Sequence, residues 1–468
     1  MSGSQGSNEK LSSIVRSRTT RRQFLLIGAG LLGGAALTAC GSGAAQTGST
    51  GAAAASGSAA KASTSKQPAT VTYWSPLDHS DTKNPRSKAE IQMCDLFQKA
   101  HPEITLKVET VPWQKMSAQL IQAAAAGNGP DVAQLSTKDL STVVAAQAVL
   151  PLDDYVGKDW SKEQKEDWFL PVQNMQFGGK QMAYYWNSLL NNLLYYNKEM
   201  LSSKSLTVPK TWDELATTAQ ALTTSTVSGY VMGFNQDGDA VQLINWLIPA
   251  LWALGLNVLD DKREIAFNND TGSKPFQWLY DMYYKYKATP ASAAQFTRDN
   301  MVDAWASGAT AMTTLGSNTV STAQKGKDGK QLGLAASPGP ANGVMPAFSD
   351  GKFFVMGKNT KNPEATALFM ESQLSPEAQI INAKIAGELP SRKSVTKDPF
   401  FRSPEGATMK IMLDYMNAFP SKPLQYDAKQ AQLQDIIASE TQQIIVSKKP
   451  IPEALKSMAT QWSAAKGQ

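Results

Sequence analysis

ITLKVETVPWQKMSAQLIQAAAAGNGPDVAQL, Ile104 to Leu135, decides the fold. ITLKVETV alternates apolar and polar residues, the two-residue period of a half-buried strand. From about residue 114 to 126 the pattern becomes helical. It stops at Gly127-Asn128-Gly129-Pro130, a run of helix breakers. DVAQL then reads as another strand. Strand, helix and strand in succession argue for an α/β layer with mainly parallel pairing.

The same alternation extends on both sides. Upstream, ATVTYW reads as a strand with Val71 and Tyr73 on one face, and a helix follows from about 87 to 100, ended near His101-Pro102. Cys94 sits in that helix between Ile91 and Phe97 at three-residue spacing, which predicts a core cysteine. Downstream, STKDLSTVVAAQAVL reads as a third helix with Ser136 as its N-cap. PKTWDELATTAQAL carries a capping box, Thr211 with Glu214. NPEATALFMESQL reads as another capped helix, LGLAASPGPANG as a strand entering a loop, and GKFFVMGKN as a short strand. DAKQAQLQDIIASETQQIIV reads as a long amphipathic helix through Leu433, Ile436, Ile437 and Ile444.

The first 67 residues have a different character. RRQFLLIGAGLLGGAALTAC, Arg21 to Cys40, is basic in front and apolar from Phe24 to Leu37, with Gly28, Gly30, Gly33 and Gly34 interrupting the run. A membrane-spanning helix needs about 20 apolar residues, so a cleavable signal over residues 1–40 is expected. Thr20-Arg21-Arg22-Gln23-Phe24-Leu25 resembles a twin-arginine export signal, and Leu37-Thr38-Ala39-Cys40 resembles a bacterial lipobox, which implies lipid on Cys40. Residues 41–67 are Gly, Ala, Ser and Thr, the composition of a flexible tether. The tag holds five Lys/Arg and one acid, so the net charge of +5 falls to +1 without it. That near-neutral remainder argues against nucleic acid as a partner. The 428 residues that follow Cys40, from 468 in all, exceed one comfortable core and predict two domains. With two cysteines and two histidines, and no CxxC, HExxH, EF-hand, P-loop, GxGxxG or GxSxG pattern, no metal, cofactor or catalytic motif is offered.

A family resemblance rests on several segments in order: VTYWSPLD, FQKAHPEITLKVETVPW, AAGNGPDVAQLS, GGKQMAYYW, LLYYNKEML, VPKTWDELATTAQAL, MVDAWASGATAMTTLGS, and NPEATALFMESQLSPEAQ ahead of GELPSRKS. Together, behind a lipobox, they resemble the extracellular solute-binding lipoproteins of bacterial ABC importers, in the carbohydrate-binding family related to maltose-binding protein. The resemblance implies a two-lobed α/β fold of the periplasmic-binding-protein type (type II). Each lobe would be a mainly parallel sheet flanked by helices, with the ligand cleft between lobes. One lobe would hold residues 68–187 plus 350–395, the other 188–349 plus 396–468. It also implies a monomer anchored through Cys40 on the outer face of the cytoplasmic membrane, a carbohydrate ligand, permease subunits as partners, and no cofactor.

A sugar offers polar rims and apolar C–H faces, so its site needs aromatic platforms and planar hydrogen-bonding groups. Eleven tryptophans are available, and several fall at strand ends. The resemblance, laid on these positions, nominates Trp74, Asp78 and His79 in WSPLDHS, Trp113 after the second strand and Ser136 after the third. Trp186 and Asn187 stand at the first crossing. In the second lobe the candidates are Asp239 and Trp246 in FNQDGDAVQLINW, with Gly316 and Asn318 in TLGSN. Asp350 in SDGKFF, Arg392 in LPSR and Tyr426 in KPLQYD complete the set. Trp212, Trp278 and Trp305 are expected in the core, and Asp131 in a structural turn. Asn318 and Ser136 stand where the maltose-type pattern places aromatic residues, which argues against maltodextrin specificity. Two other readings stand beside this one. One is the same fold binding a peptide, polyamine or metal. The other is a surface glycosidase, which would need two facing carboxylates among residues such as Asp78, Asp239 and Asp350. An acidic sugar would call for Arg392, Lys138 and His79 pointing inward.

Overall fold

Val71 and Tyr73 are fully buried from the first strand, β1 (Ala69–Ser75), as the alternation in ATVTYW predicts. The structure is a computed structural model. It describes residues 68–466 except 234, 236–240, 341–342 and 425–428, and it leaves the side chains of Lys138 and Val241 undescribed. The signal, Cys40, the tether, Asp239 and Tyr426 therefore lie outside the described residues.

Helix α1 (Pro85–Ala100) starts at Asn84, whose side chain accepts from the Arg86 amide, and it ends at His101. Its inner face buries Met93, Cys94 and Phe97. Strand β2 (Ile104–Thr110) pairs in parallel with β1, Ala69 opposite Ile104. Helix α2 (Trp113–Ala125) then stops where Gly127 and Gly129 take positive φ angles of 75° and 122°, a conformation that glycine adopts without a Cβ penalty. Strand β3 (Val132–Ser136) returns parallel to β1. The strand–helix–strand reading of the opening stretch is therefore what the chain builds. Asp131 plays the structural part expected of it, accepting from the Thr72 amide at 2.7 Å and from the Thr360 hydroxyl at 2.5 Å.

The third helix is shorter than its sequence suggests. Residues Thr137–Asp139 form a tight turn, and α3 covers only Leu140–Ala145. Ser136 gives its hydroxyl to the Asp139 carboxylate instead of capping an amide. Gln147 takes a positive φ of 52°, and the last residues become strand β4 (Val149–Leu150).

After β5 (Tyr184–Tyr185) and β6 (Leu189–Leu190), strand β7 (Leu193–Asn197) begins a second sheet. Helix α4 (Trp212–Leu222) follows with the predicted Thr211–Glu214 capping box, then α5 (Val241–Ala253) and α6 (Asp270–Tyr284). Strands β8 (Met312–Leu315) and β9 (Leu332–Ala336) complete that sheet. The chain returns through β10 (Ser349–Asp350) to β11 (Lys352–Gly357) in the first sheet. It finishes with α7 (Pro363–Gln373), α8 (Pro376–Ala386), α9 (Ala407–Ala418), α10 (Gln430–Val446) and α11 (Ile451–Lys466). α7 starts at Asn362 as expected, but the Asn362 amide reaches the Thr70 carbonyl and leaves the helix end to Pro363.

The first sheet runs β2-β1-β3-β11-β4, with β5 also on β11. β11 is antiparallel to β3, because it arrives from the second sheet without a crossover helix of its own. The second sheet, β8-β7-β9, corrects the expectation of mainly parallel strands in both halves. β8 and β9 run in the same direction with a helical connection between them. β7 is threaded between them in reverse and pairs antiparallel with each. Behind this sheet lies the largest apolar core, which holds Trp212, Trp246, Trp278 and Trp305 together with side chains of α9, α10 and α11. Two smaller cores cover the faces of the first sheet. No described helix is long and apolar enough to cross a membrane.

Candidate functional site

Three stretches of chain pass between the two sheets. β6 and β10 pair antiparallel, Leu190 opposite Ser349 and Leu189 opposite Asp350. Beside them Ser188 bridges to Leu389. The asparagines of the first passage tie the second: Asn192 accepts from the Phe348 amide at 2.7 Å, and Asn191 donates to Asp350 Oδ1 at 2.9 Å.

Next to this pair lies a cavity of about 340 Å³. Ser136 and Thr137, at the end of β3, form its rim on the first sheet, and Phe348 and Asp350 contribute from the second passage. Helix α5 supplies Ile244, Asn245, Ile248 and Trp252, and α10 supplies Gln430, Leu433 and Gln434. Asn257, Val258, Leu259, Pro423 and Leu424 close the remaining side. Trp252 meets Phe348 edge to face with ring centroids 5.8 Å apart. The lining thus combines aliphatic and aromatic walls with neutral amides and hydroxyls. Such a surface suits a solute with C–H faces and many hydroxyls. Asp350 is the carboxylate among the described lining residues. Burial pushes its carboxyl up to about 6, against the pull of the Asn191 amide. Behind it, burial and the Asp350 charge raise the Tyr185 hydroxyl.

Of the residues nominated from sequence, Ser136 and Asp350 are brought together here. Trp113, Trp186 and Asn187 gather instead around Glu388. Lys352 Nζ lies 5.9 Å from the Trp113 ring centre and 5.4 Å from that of Trp186. It is also 2.8 Å from Glu388 Oε1. The same oxygen meets Arg86 Nε at 2.8 Å, while Asn187 and Asn382 donate to Oε2 at 2.8 and 3.2 Å. Burial pushes the Glu388 carboxyl upward, but Lys352, Arg86 and these hydrogen bonds outweigh it and hold it down to about 2. Trp186 is 3 % exposed and stacked on Phe354, so its ring faces are taken.

The remaining nominees sit apart from the cavity. Trp74 is half-buried and gives its indole N–H to Glu109 at 2.8 Å. Asp78 is exposed and caps its own turn, accepting from the Ser80 amide and hydroxyl, bonds that lower its pKa. His79 lies 2.8 Å from the buried Glu90, which also accepts from Tyr73, Ser75 and Gln134. The Gly316 carbonyl accepts from the Tyr195 hydroxyl, and a Cβ there would lie 2.7 Å from Asn318 Oδ1, while Asn318 itself is exposed.

Two nominations are corrected outright. Arg392 is buried between Trp160 and Trp168, its guanidinium carbon 4.5 and 4.2 Å from their ring centres. It donates to the Leu374 and Gln164 carbonyls and is buried away from the cavity. Trp246 is 1 % exposed and stacked against Trp212 and Trp278 in the large core. The tryptophan at the cavity is Trp252, six residues further along the same helix. The signal for it was in the sequence. Ile244, Ile248 and Trp252 follow at four-residue intervals and form one stripe, whereas Trp246, two residues before Ile248, projects about 200° away. Gln430 and Gln434 were legible in the same way, as the polar flank of the Leu433 stripe on α10.

A profile of the family described as bacterial extracellular solute-binding protein matches residues 92–408, more than half of the chain. The chain belongs to that family. Among related solute-binding proteins, a probable ABC transporter-binding protein of Deinococcus radiodurans is 25% identical over 316 residues, covering 64% of this chain and 72% of the relative. The sn-glycerol-3-phosphate-binding periplasmic protein of Pectobacterium atrosepticum is 25% identical over 84% of this chain and 90% of its own. In fold, the chain is similar to the cyclic alpha-maltosyl-1,6-maltose binding protein of Arthrobacter globiformis, with a TM-score of 0.72, 20% identity, and coverage of 85% of this chain and 98% of that one. The sugar-binding protein MalE of Xanthomonas citri gives a TM-score of 0.70 at 21% identity, with the same coverage.

Proposed function

We propose that this solute-binding protein captures a mono- or oligosaccharide outside the cytoplasm and hands it, unaltered, to the permease of an ABC importer. The single observation that carries the reading is the lining of the cavity beside the β6–β10 pair. Trp252, Phe348 and the isoleucines of α5 offer apolar surface, and Ser136, Thr137, Asn245, Asn257, Gln430 and Gln434 offer neutral hydrogen-bonding groups. The fold neighbours from Arthrobacter globiformis and Xanthomonas citri, described as sugar-binding, add support. Asp350 alone contributes a carboxylate from the described lining, where glycoside cleavage uses two. That supports binding without turnover.

In this reading the two sheets and their cores are two lobes, 68–187 plus 350–395 and 188–349 plus 396–468, and the solute favours the closed arrangement. Export through the tag and a lipid on Cys40 would keep the chain at the outer face of the membrane, as a monomer on its tether.

Thermal shift against mono- and oligosaccharides tests the reading. A binding sugar at a hundredfold excess over its Kd stabilises by about 2.7 kcal/mol. Trp252→Ala removes the response while the protein still melts cooperatively, and chromatography recovers the sugar intact. A shift given by peptides alone, or products accumulating with time, overturns it.

A further inference from the structure

Charge distinguishes one half of the sugar world from the other, and the cavity is not neutral toward it. Among its described lining residues there is one ionisable side chain, Asp350, and no lysine, arginine or histidine. Three cations among the described side chains are engaged elsewhere. Lys352 is held by Glu388, Arg392 lies between two tryptophans, and Lys422 gives its ammonium to the Trp252 carbonyl at 3.1 Å. A phosphate or carboxylate on a solute is recognised by charge-assisted donors, arginine above all. The described lining offers such a group only neutral amides and hydroxyls, with a carboxylate facing the same space. Resting on the carbohydrate reading above, we infer that the site selects by charge: it takes an uncharged glycoside or one bearing an ammonium group, and Asp350 turns away phosphorylated and uronic ones.

The geometry gives Asp350 that part. The short β6–β10 pair fixes the backbone of Asp350 and Asn191 donates to one of its oxygens, so swinging the carboxylate out of the cavity costs that hydrogen bond. An incoming anion would be desolvated beside a like charge in a partly apolar pocket, where repulsion is weakly screened. A solute ammonium would pair with the same group and relieve its burial. The contrast with the Pectobacterium atrosepticum relative, named for a phosphate ester, is one of solute class within a shared family.

The test is titration calorimetry on the full chain with ligand sets differing in one group. Glucose, glucosamine, glucose 6-phosphate and glucuronate form one set. Maltose and maltobionate form a second, and glycerol with sn-glycerol 3-phosphate a third. The tripeptides Ala-Ala-Ala, Ala-Lys-Ala and Ala-Glu-Ala extend the comparison beyond sugars. In whichever skeleton binds, the anionic member is weaker than the neutral one by about tenfold or more, and Asp350→Asn narrows that gap. Far-ultraviolet circular dichroism checks that the variant is folded. An anionic member binding as tightly as its neutral partner, or a gap that Asp350→Asn leaves unchanged, overturns the charge rule and leaves the carbohydrate reading standing. Peptides binding while every sugar is silent overturns the carbohydrate reading, and the peptide set then reads the charge rule by itself. Silence in every set overturns both.

Discussion

Asp350 is held in a conflict that can be measured. Burial favours its neutral form and moves its pKa from near 3.8 in an unfolded chain to about 6. The fold therefore binds the proton more tightly, and ionising the group costs stability as pH rises through that window. Well below pH 3.8 the group is neutral in both states and the cost vanishes. Asp350→Asn is expected to raise stability by roughly 1–2 kcal/mol at pH 7.5 and by little at pH 4. Melting curves of parent and variant at the two values check this, and an equal change at both refutes it. Residue identity was the legible part here: a carboxylate in SDGKFF, at a return between sheets, stood out. Orientation was not. Trp246 and Trp252 share a helix and a residue type, and Arg392 reads in sequence as an available cation. Only packing reveals that a pair of tryptophans has already taken it.

At the scale of elements, Glu388 joins pieces distant in sequence. It receives Arg86 from α1, Asn187 from the first passage, Lys352 from β11 and Asn382 from α8. Removing the charge strands two cations beside it, and Glu388→Gln is expected to cost about 3–5 kcal/mol at neutral pH. The sign with pH opposes that of Asp350. A carboxyl held down to about 2 contributes fully above its ordinary value near 4.5, and its contribution fades as pH falls toward 2. Denaturant titrations at pH 7 and pH 3 should show the gap between parent and variant shrinking in acid. A gap below about 1 kcal/mol at pH 7 would mean that the cluster holds little together. Local elements were the most legible level, because their signals are short-range. The Thr211 capping box, the glycine stop after α2 and the stripe on α10 are all where the residues put them. The reversed strand β7 was not legible, since its direction depends on which strands flank it and those lie more than a hundred residues on.

The whole molecule is organised by its three passages. If they act as a hinge, small-angle scattering should report a smaller radius of gyration when a binding sugar is added, and Trp252→Ala should abolish the change. An unchanged radius in the presence of a sugar that demonstrably binds would rule out closure. Composition and length foretold more than one core, but the interleaving of the chain came only from a family resemblance, because no local pattern marks where a chain leaves one sheet for another.

Cys94 lies on α1's inner face, 7 % exposed, with its thiol pushed up by burial and by Glu90. It is the one cysteine among the described residues. A thiol so placed is a poor nucleophile toward a maleimide. With Cys40 lipidated or replaced, a cysteine introduced on purpose at the mouth of the cavity, at Gln434 for instance, would have the reagent almost to itself. The fold thus comes ready to carry a single environment-sensitive dye and to report, by its colour, the solute it takes up.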